Sequence, residues 1–395
     1  MKRRSVYLQV FRCLLVAAYL LSVGYAAAQQ QPDPPTEESS SQTSSQAPAG
    51  TEKEQEKEKQ QKRGALVVAP IPVSSPAIGS GLVLVVGYIF PFSRRDKVSP
   101  PSVIGAAGLY TNNQSKAFAV GGELFLKENT YHVTAGFVRG NLNYDLYGTG
   151  TAAGNAGRKL PLNQTGQAFL GEFQRRIGWG FFAGPQFVTG HSLITVRDAG
   201  NSSVPLPPDL GLHTTLTGLG FEISRDTRPN QFYPVSGSRF NFSSIFFGKS
   251  LGSKYSFQTY RTKFDYYFGL SERQVLAYDL YLCGTGGSPP FYGECLYGTQ
   301  NELRGYVAGR YIDRYMAATQ LEYRLTLPKR FGIVLFGGIG EVAPSIGKFN
   351  NDDVLPAGGL GLRFMLSKKY HVNLRADIAQ GKDGHTFSMG LGEAF

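Results

Sequence analysis

From Ala65 to Phe395, apolar and polar positions alternate with a period of two, in runs that stop abruptly at turn residues. In the run 370–378, Tyr370, Val372, Leu374, Ala376 and Ile378 alternate with His371, Asn373, Arg375 and Asp377. Successive side chains of a strand point to opposite faces, so one face of this run is apolar and the other polar. Thr262, Phe264, Tyr266, Phe268 and Leu270 stand in the same way against Arg261, Lys263 and Asp265, and Leu321, Tyr323 and Leu325 against Gln320, Glu322 and Arg324. The pattern predicts sixteen strands, near 65–73, 79–90, 101–112, 114–126, 129–141, 164–176, 179–189, 211–225, 236–248, 254–270, 274–283, 314–327, 330–341, 354–366, 370–380 and 384–395.

A soluble sandwich also alternates, but its apolar faces must be covered. Here large apolar residues recur along most strands with no helical pattern to cover them. An all-β transmembrane antiparallel β-barrel accounts for both faces, with lipid against one and a polar lumen behind the other. An even strand count places both ends of the barrel on one side of the membrane, the periplasmic side. With the first strand running outward, the even-to-odd connections are short turns, including Lys127-Glu128, Ile177-Gly178, Ser271-Glu272-Arg273, Pro328-Lys329 and Ser367-Lys368-Lys369. Pro91 to Pro100 and Asp226 to Val235 are longer. The long connections, 142–163, 190–210, 284–313 and 342–353, all fall on the external side, an asymmetry expected of outer-membrane barrels.

Composition agrees with this reading. The 395 residues include 49 Gly, 22 Tyr and 27 Phe, with only 17% charged, and no apolar run long enough for a membrane helix follows the N-terminus. Met1-Lys2-Arg3-Arg4 is basic, Cys13 to Gly24 is apolar and Ala26-Ala27-Ala28 offers a small-residue cleavage site, so 1–28 is expected to be a secretory signal. The polar segment 29–64 has too little apolar surface to offset ordering entropy and is expected to be a disordered periplasmic tether before the barrel, 65–395. Trp179 lies beside a periplasmic turn, as an interfacial aromatic would.

No catalytic or metal constellation emerges. His132, His191, His213, His371 and His385 are isolated, and no nucleophile elbow or phosphate loop is present. No enzyme activity, metal, cofactor or nucleic-acid partner is therefore expected. The 40 Lys and Arg against 29 Asp and Glu are spread over tether, turns and lumen. Cys283 ends the eleventh strand and Cys295 lies in the loop that follows. In an oxidising compartment the two are expected to form a disulfide, with two unpaired thiols as the alternative.

That loop contains Leu303-Arg304-Gly305-Tyr306 between the eleventh and twelfth of sixteen strands. Upstream stand Gly220-Phe221-Glu222-Ile223-Ser224-Arg225-Asp226-Thr227-Arg228, then Phe232-Tyr233-Pro234 and Gly237. Downstream come Glu322-Tyr323-Arg324, Gly359-Leu360-Gly361-Leu362-Arg363 and Arg375-Ala376-Asp377-Ile378. In this order the motifs resemble the bacterial surface antigen family, the BamA/TamA-like barrel also found in the mitochondrial sorting protein and in two-partner secretion transporters. The last strand adds a further likeness. Phe387, Met389, Leu391 and Phe395 are placed on one face, resembling the C-terminal signal by which bacterial outer-membrane barrels are recognised for insertion, with Glu393 on the lipid side near the interface.

The resemblance implies that the loop folds back into the lumen and that Arg304 pairs with acidic side chains on the wall. Glu322 and Asp377 both point inward by the alternation. The family's thirteenth strand carries Phe-x-Asp-x-Gly, whereas Phe336-Gly337-Gly338-Ile339-Gly340 has Gly338 at the acidic position, which leaves Glu322, Asp377 or a wider network as the partner. The implied activity is insertion or translocation of proteins, or lipid handling, at the outer membrane of a diderm bacterium, through a weak junction between first and last strands. The implied partners are outer-membrane lipid, the barrel-assembly machinery and client outer-membrane proteins, with the barrel itself a monomer. The family's periplasmic polypeptide-transport domains do not fit within 29–64. A passive porin-like channel or structural barrel is the alternative.

Overall fold

Strands apolar on one face and polar on the other leave an open sheet with two unpaired edges, and in lipid those edges can only be removed by curling the sheet on itself. The computed structural model describes Gly64–Phe395 except Pro76, Ile78, Arg94, Lys97, 198–212, Gln231, 299–301 and 368–370. The expected signal (1–28) and all of the expected tether but Gly64 lie outside the described residues.

Sixteen strands form one sheet in which each pairs antiparallel with the next. They are β1 (Ala65–Ser75), β2 (Gly79–Phe90), β3 (Ser102–Thr111), β4 (Lys116–Leu126), β5 (Tyr131–Leu146), β6 (Leu160–Gly178), β7 (Phe181–Val196), β8 (His213–Asp226), β9 (Gly237–Phe247), β10 (Phe257–Ser271) and β11 (Gln274–Gly287), followed by β14 (Tyr315–Thr326), β15 (Phe331–Ala343), β16 (Leu355–Ser367), β17 (Val372–Gly381) and β18 (Gly384–Leu391). Two short strands, β12 (Cys295–Leu296) and β13 (Ile312–Asp313), make a separate ribbon within the connection from β11 to β14. The sheet curls until β1 lies beside β18. Among the described residues no backbone ladder joins those two strands.

The period-two pattern is realised as expected. Leu335, Leu360, Leu362 and Ile378 are exposed on the outer wall, whereas Phe336, Arg363 and Asp377, one residue along, are buried in the lumen. The lumen is divided chemically. Ile71, Val85, Val103, Ala107, Val138 and Leu170 form an apolar cluster on the inner face of β1 to β6, while β14 to β17 bury the charged groups Glu322, Arg324, Arg363, Arg375 and Asp377 beside apolar ones.

Two features of the connections were beyond the alternation. β5, β6 and β7 run further outward than the pattern predicts, β5 to Leu146, β6 from Leu160 and β7 to Val196. Their outer ends keep an apolar inner face, Leu142, Tyr144, Leu146, Leu160, Leu162 and Ile194, which packs on Phe291 and Ile312 of the connection after β11. Side-chain bonds tie them together there, Asn163 Nδ2 donating to Asn141 Oδ1 at 2.6 Å and Asn143 Oδ1 at 2.7 Å. A short helix, α1 (Thr151–Ala156), spans the loop between β5 and β6.

The long periplasmic connection after β2 is pinned by Asp96. Its carboxylate accepts from Ser99 Oγ at 2.6 Å, Ser99 N at 2.9 Å and Glu128 N at 2.8 Å, holding the 127–129 turn, whose three residues have φ of 49°, 56° and 61°. These bonds, led by the Ser99 hydroxyl, hold the Asp96 carboxyl at about 2. A depressed carboxyl stabilises the folded loop above its ordinary titration range, and that contribution is lost as pH falls through about 2.

If the outer wall meets lipid, charge there is costly in proportion to depth. Leu360→Arg, at mid-strand on β16, is expected to lower the free energy of unfolding in a bilayer by about 2–4 kcal/mol. Ile346→Arg, equally exposed but in the loop after β15, is expected to change it by less than about 0.5 kcal/mol. Urea titration of the two variants in vesicles checks both.

Candidate functional site

The connection from β11 to β14 leaves the external end of the barrel and returns into the lumen. Cys283 on β11 and Cys295 on β12 are disulfide-bonded, with Cα atoms 5.9 Å apart, so the loop is tethered to the wall at its root. β12 pairs with β13, Cys295 opposite Asp313 and Leu296 opposite Ile312. Beyond the ribbon three tyrosines pack edge to face. The Tyr297 and Tyr306 rings are 5.4 Å apart, and Tyr306 and Tyr311 5.8 Å. Such pairs prefer this geometry because a positive ring edge meets a negative face.

Glycines make the close approach possible. A Cβ on Gly338 would lie 2.7 Å from Leu303 Cδ1 and 2.2 Å from Thr319 O, and one on Gly340 would strike Tyr297 Oη. β15 therefore has a flat inner face against which Leu303 and Tyr297 rest. Gly305 has φ of 115°, a conformation other residues rarely adopt. A Cβ on it would also approach that of Ala357 to 2.9 Å. The next residue locks the turn, Tyr306 Oη donating to Pro356 O at 2.6 Å and accepting from Lys382 N at 3.2 Å.

Arg304 is the tip of this loop and is 5% exposed. One terminal nitrogen donates to Glu322 Oε2 on β14, and the other lies 2.9 Å from Asp377 Oδ2 on β17. Its Nε donates to Gln320 Oε1 at 3.1 Å, and its Cζ sits 3.5 Å from the centre of the Phe336 ring. A planar guanidinium suits this arrangement because it donates in its plane and stacks through its face.

The clasp continues into a network along the wall. Arg324 Nε donates to Glu322 Oε1 at 2.6 Å, Arg363 bonds Asp377 Oδ1, and Arg363 Nε donates to Glu393 Oε2 at 2.7 Å. Arg375 lies 3.6 Å from Asp377. Four arginines (304, 324, 363, 375) thus surround three carboxylates (322, 377, 393). Buried ions are tolerated because each has an opposite charge within bonding distance, and Glu322 and Asp377 each have more than one.

The structure therefore brings Leu303, Arg304, Gly305 and Tyr306 together with both expected partners, Glu322 and Asp377, in one site. Phe387 and Met389 lie opposite Ile378 and Ala376, on the outer side of β18; the Leu391 side chain lies outside the described set. Two residues depart from the expected outward face. β18 ends at Leu391, and Gly392, with φ of 80°, turns the chain inward. Phe395 packs inside against Tyr267, Val275 and Ala277, and its main-chain oxygen accepts from Arg324 at 3.1 Å. Glu393, expected on the lipid side, is buried against Arg363 and accepts from Asn373 at 2.7 Å. A carboxylate so close to luminal guanidinium groups is better solvated there than in lipid. Arg324, Arg363 and Arg375 were missed as site residues although the alternation already pointed them inward; Glu393 was hidden because counting by two continued past the end of the strand.

Comparison with known families finds a match to the Omp85 superfamily domain over residues 123–395, more than half of the chain. The chain belongs to the Omp85 superfamily, whose barrels lie in the outer membrane. Among solved structures it resembles BamA from Haemophilus ducreyi lacking POTRA domains 1–3, with 15% identity and a TM-score of 0.55 over 84% of this chain and 69% of that one. It also resembles CdiB from Acinetobacter baumannii, with 12% identity, a TM-score of 0.56 and 84% and 60% coverage. For CdiB from Escherichia coli the values are 10%, 0.53, 84% and 67%. At these identities the likeness speaks to the fold. Comparison with curated protein sequences finds no match.

Arg304→Ala removes the cation that bridges Glu322 and Asp377, while each carboxylate keeps another arginine, Arg324 and Arg363, and is expected to destabilise the barrel by about 1–3 kcal/mol through the lost hydrogen bonds, with Arg304→Lys intermediate. Gly338→Asp is expected to displace the loop by steric conflict with Leu303, despite supplying a carboxylate. The temperature at which each variant loses the compact electrophoretic mobility of a folded barrel measures both.

Proposed function

We propose that this Omp85 superfamily barrel assists the insertion or translocation of other proteins across or into the outer membrane, and that it does so at the junction of β1 and β18. The reading is non-enzymatic: the barrel supplies an edge and a local disturbance of the bilayer, and the client supplies the strand.

The observation that carries it is the composition of β1 at an unladdered junction. Along an antiparallel strand the N–H and C=O of one residue point to one neighbour and those of the next residue to the other. Pro70 and Pro72 lie two positions apart, so both nitrogens point the same way, and Pro70 faces Leu84 while Pro72 faces Leu82 in a register with β2 that runs without a shift. Prolines are accommodated in a sheet where their nitrogens face an unpaired side. The missing donors thus fall toward β18. β18 spans only eight residues and begins at Gly384, which has φ of 121°. A short, glycine-bearing strand against an edge lacking two donors makes a weak junction, which an incoming strand can enter.

The folded-in loop supports this reading over a passive channel. A disulfide, an aromatic trio and an ion network hold the Leu303–Tyr306 segment in the lumen, where an open pore needs free cross-section.

Cysteine pairs placed between 67–73 on β1 and 385–390 on β18 are expected to lock the junction when oxidised and to abolish assembly of client barrels in a depletion background, read as an outer-membrane proteome. Pairs within the β1–β2 ladder are the control for oxidation. Pro70→Val combined with Pro72→Thr restores both donors and is expected to reduce the same activity without lowering barrel stability. Full activity of the locked protein would overturn the proposal.

A further inference from the structure

On the outer wall of β5 to β8, the apolar outward rows stop well before the strands do. They end at Phe137, Phe169, Phe187 and Leu219, with the Phe169 and Phe187 rings tilted to each other at 6.3 Å between centres. Beyond them the same outward face is polar apart from Leu193 on β7. Arg139 on β5, His191 on β7, His213 on β8, and Lys249 and Lys254 from the connection after β9 line a basin of about 630 Å³. Among its described lining residues there is no carboxylate. The connection runs along the part of the β8 edge that β9 does not pair, with Lys254 N donating to Thr215 O at 2.8 Å and Lys254 Nζ to His213 O at 2.9 Å. Ser253, 4% exposed, lies beside the same basin with a buried hydroxyl that has no hydrogen-bond partner.

Convergence of cationic side chains with no counter-charge in the lining raises the local potential and favours an anion. The height of the basin selects its kind. It begins one outward position beyond the aromatic and aliphatic wall, the level at which lipid headgroups meet a membrane barrel. We propose that this basin binds the anionic phosphate headgroup of a lipid in the exterior-facing leaflet, with the acyl chains lying down Phe169, Phe187 and Leu219. The site lies on the opposite side of the wall from the luminal clasp and does not depend on the β1–β18 junction.

The test uses the full chain in nanodiscs of equal phosphatidylglycerol and phosphatidylcholine, with the lipids it retains after transfer to detergent counted by native mass spectrometry. The protein is expected to enrich the anionic lipid. The Arg139→Gln, Lys249→Gln, Lys254→Gln triple variant is expected to lose that enrichment by roughly fivefold per removed charge. Unchanged heat-modifiable mobility of the variant shows that the barrel is intact; should the triple variant not fold, Lys249→Gln alone, in the exposed connection, is expected to lose about fivefold by the same reasoning. Equal retention of both lipids by the unaltered protein, or undiminished enrichment in the variants, would overturn the proposal. So would protection against unfolding by inorganic phosphate alone as strong as that by phosphatidylglycerol, which would assign the basin to a soluble anion.

Discussion

A backbone N–H or C=O left unpaired in hydrocarbon costs several kcal/mol, and this constraint shapes the whole chain. It forces sixteen strands that would each be marginal alone into one continuous ladder. It also makes the single unladdered junction informative. An edge facing lipid would normally present a row of unmet donors, and Pro70 and Pro72 reduce that row by two. The same substitution that weakens pairing with β18 lowers the cost of leaving the edge unpaired. A junction built in this way can stay closed by contact and still open without breaking many bonds.

The lumen shows the opposite logic. There the problem is excess charge, and it is met by mutual neutralisation. Arg304 arrives from a loop that is remote from the wall in sequence and finds Glu322 and Asp377 on two non-adjacent strands, β14 and β17. The intervening β15 and β16 contribute the space. Gly338 gives Leu303 its seat, and Phe336 gives the guanidinium a ring to stack on. The clasp thereby cross-links the C-terminal part of the barrel, the part that ends in β18. One flank of the junction is held by this network, whereas β1, on the other flank, is backed by an apolar cluster shared with its immediate neighbours.

The missing acidic residue on β15 also acquires a physical meaning. A carboxylate at 338 would have to share space with Leu303, and the negative charge is already supplied by Glu322, Asp377 and Glu393. The chain end provides the third of these by folding inward after Gly392, where the charged residue at 393 and the aromatic at 395 both find luminal partners.

The sequence by itself determined what depends on local periodicity and short spacing. Alternation along runs such as 370–378 assigned strands and faces, turn residues separated them, and the lengths of the connections oriented the barrel. The inward direction of Glu322 and Asp377 followed from parity alone, and so did that of Arg324, Arg363 and Arg375. Tertiary structure decided which inward groups meet, because β14 and β17 approach one loop only when the sheet has curled. It also decided where the strands stop. The inward apolar residues at the outer ends of β5 to β7 pack on Phe291 and Ile312 of the folded-in loop, a contact local spacing does not reveal, and Glu393 and Phe395 leave the count of two because a glycine turn and luminal guanidinium groups redirect the chain. Periodicity records the environment on each side of a strand, and it falls silent where the strand has ended.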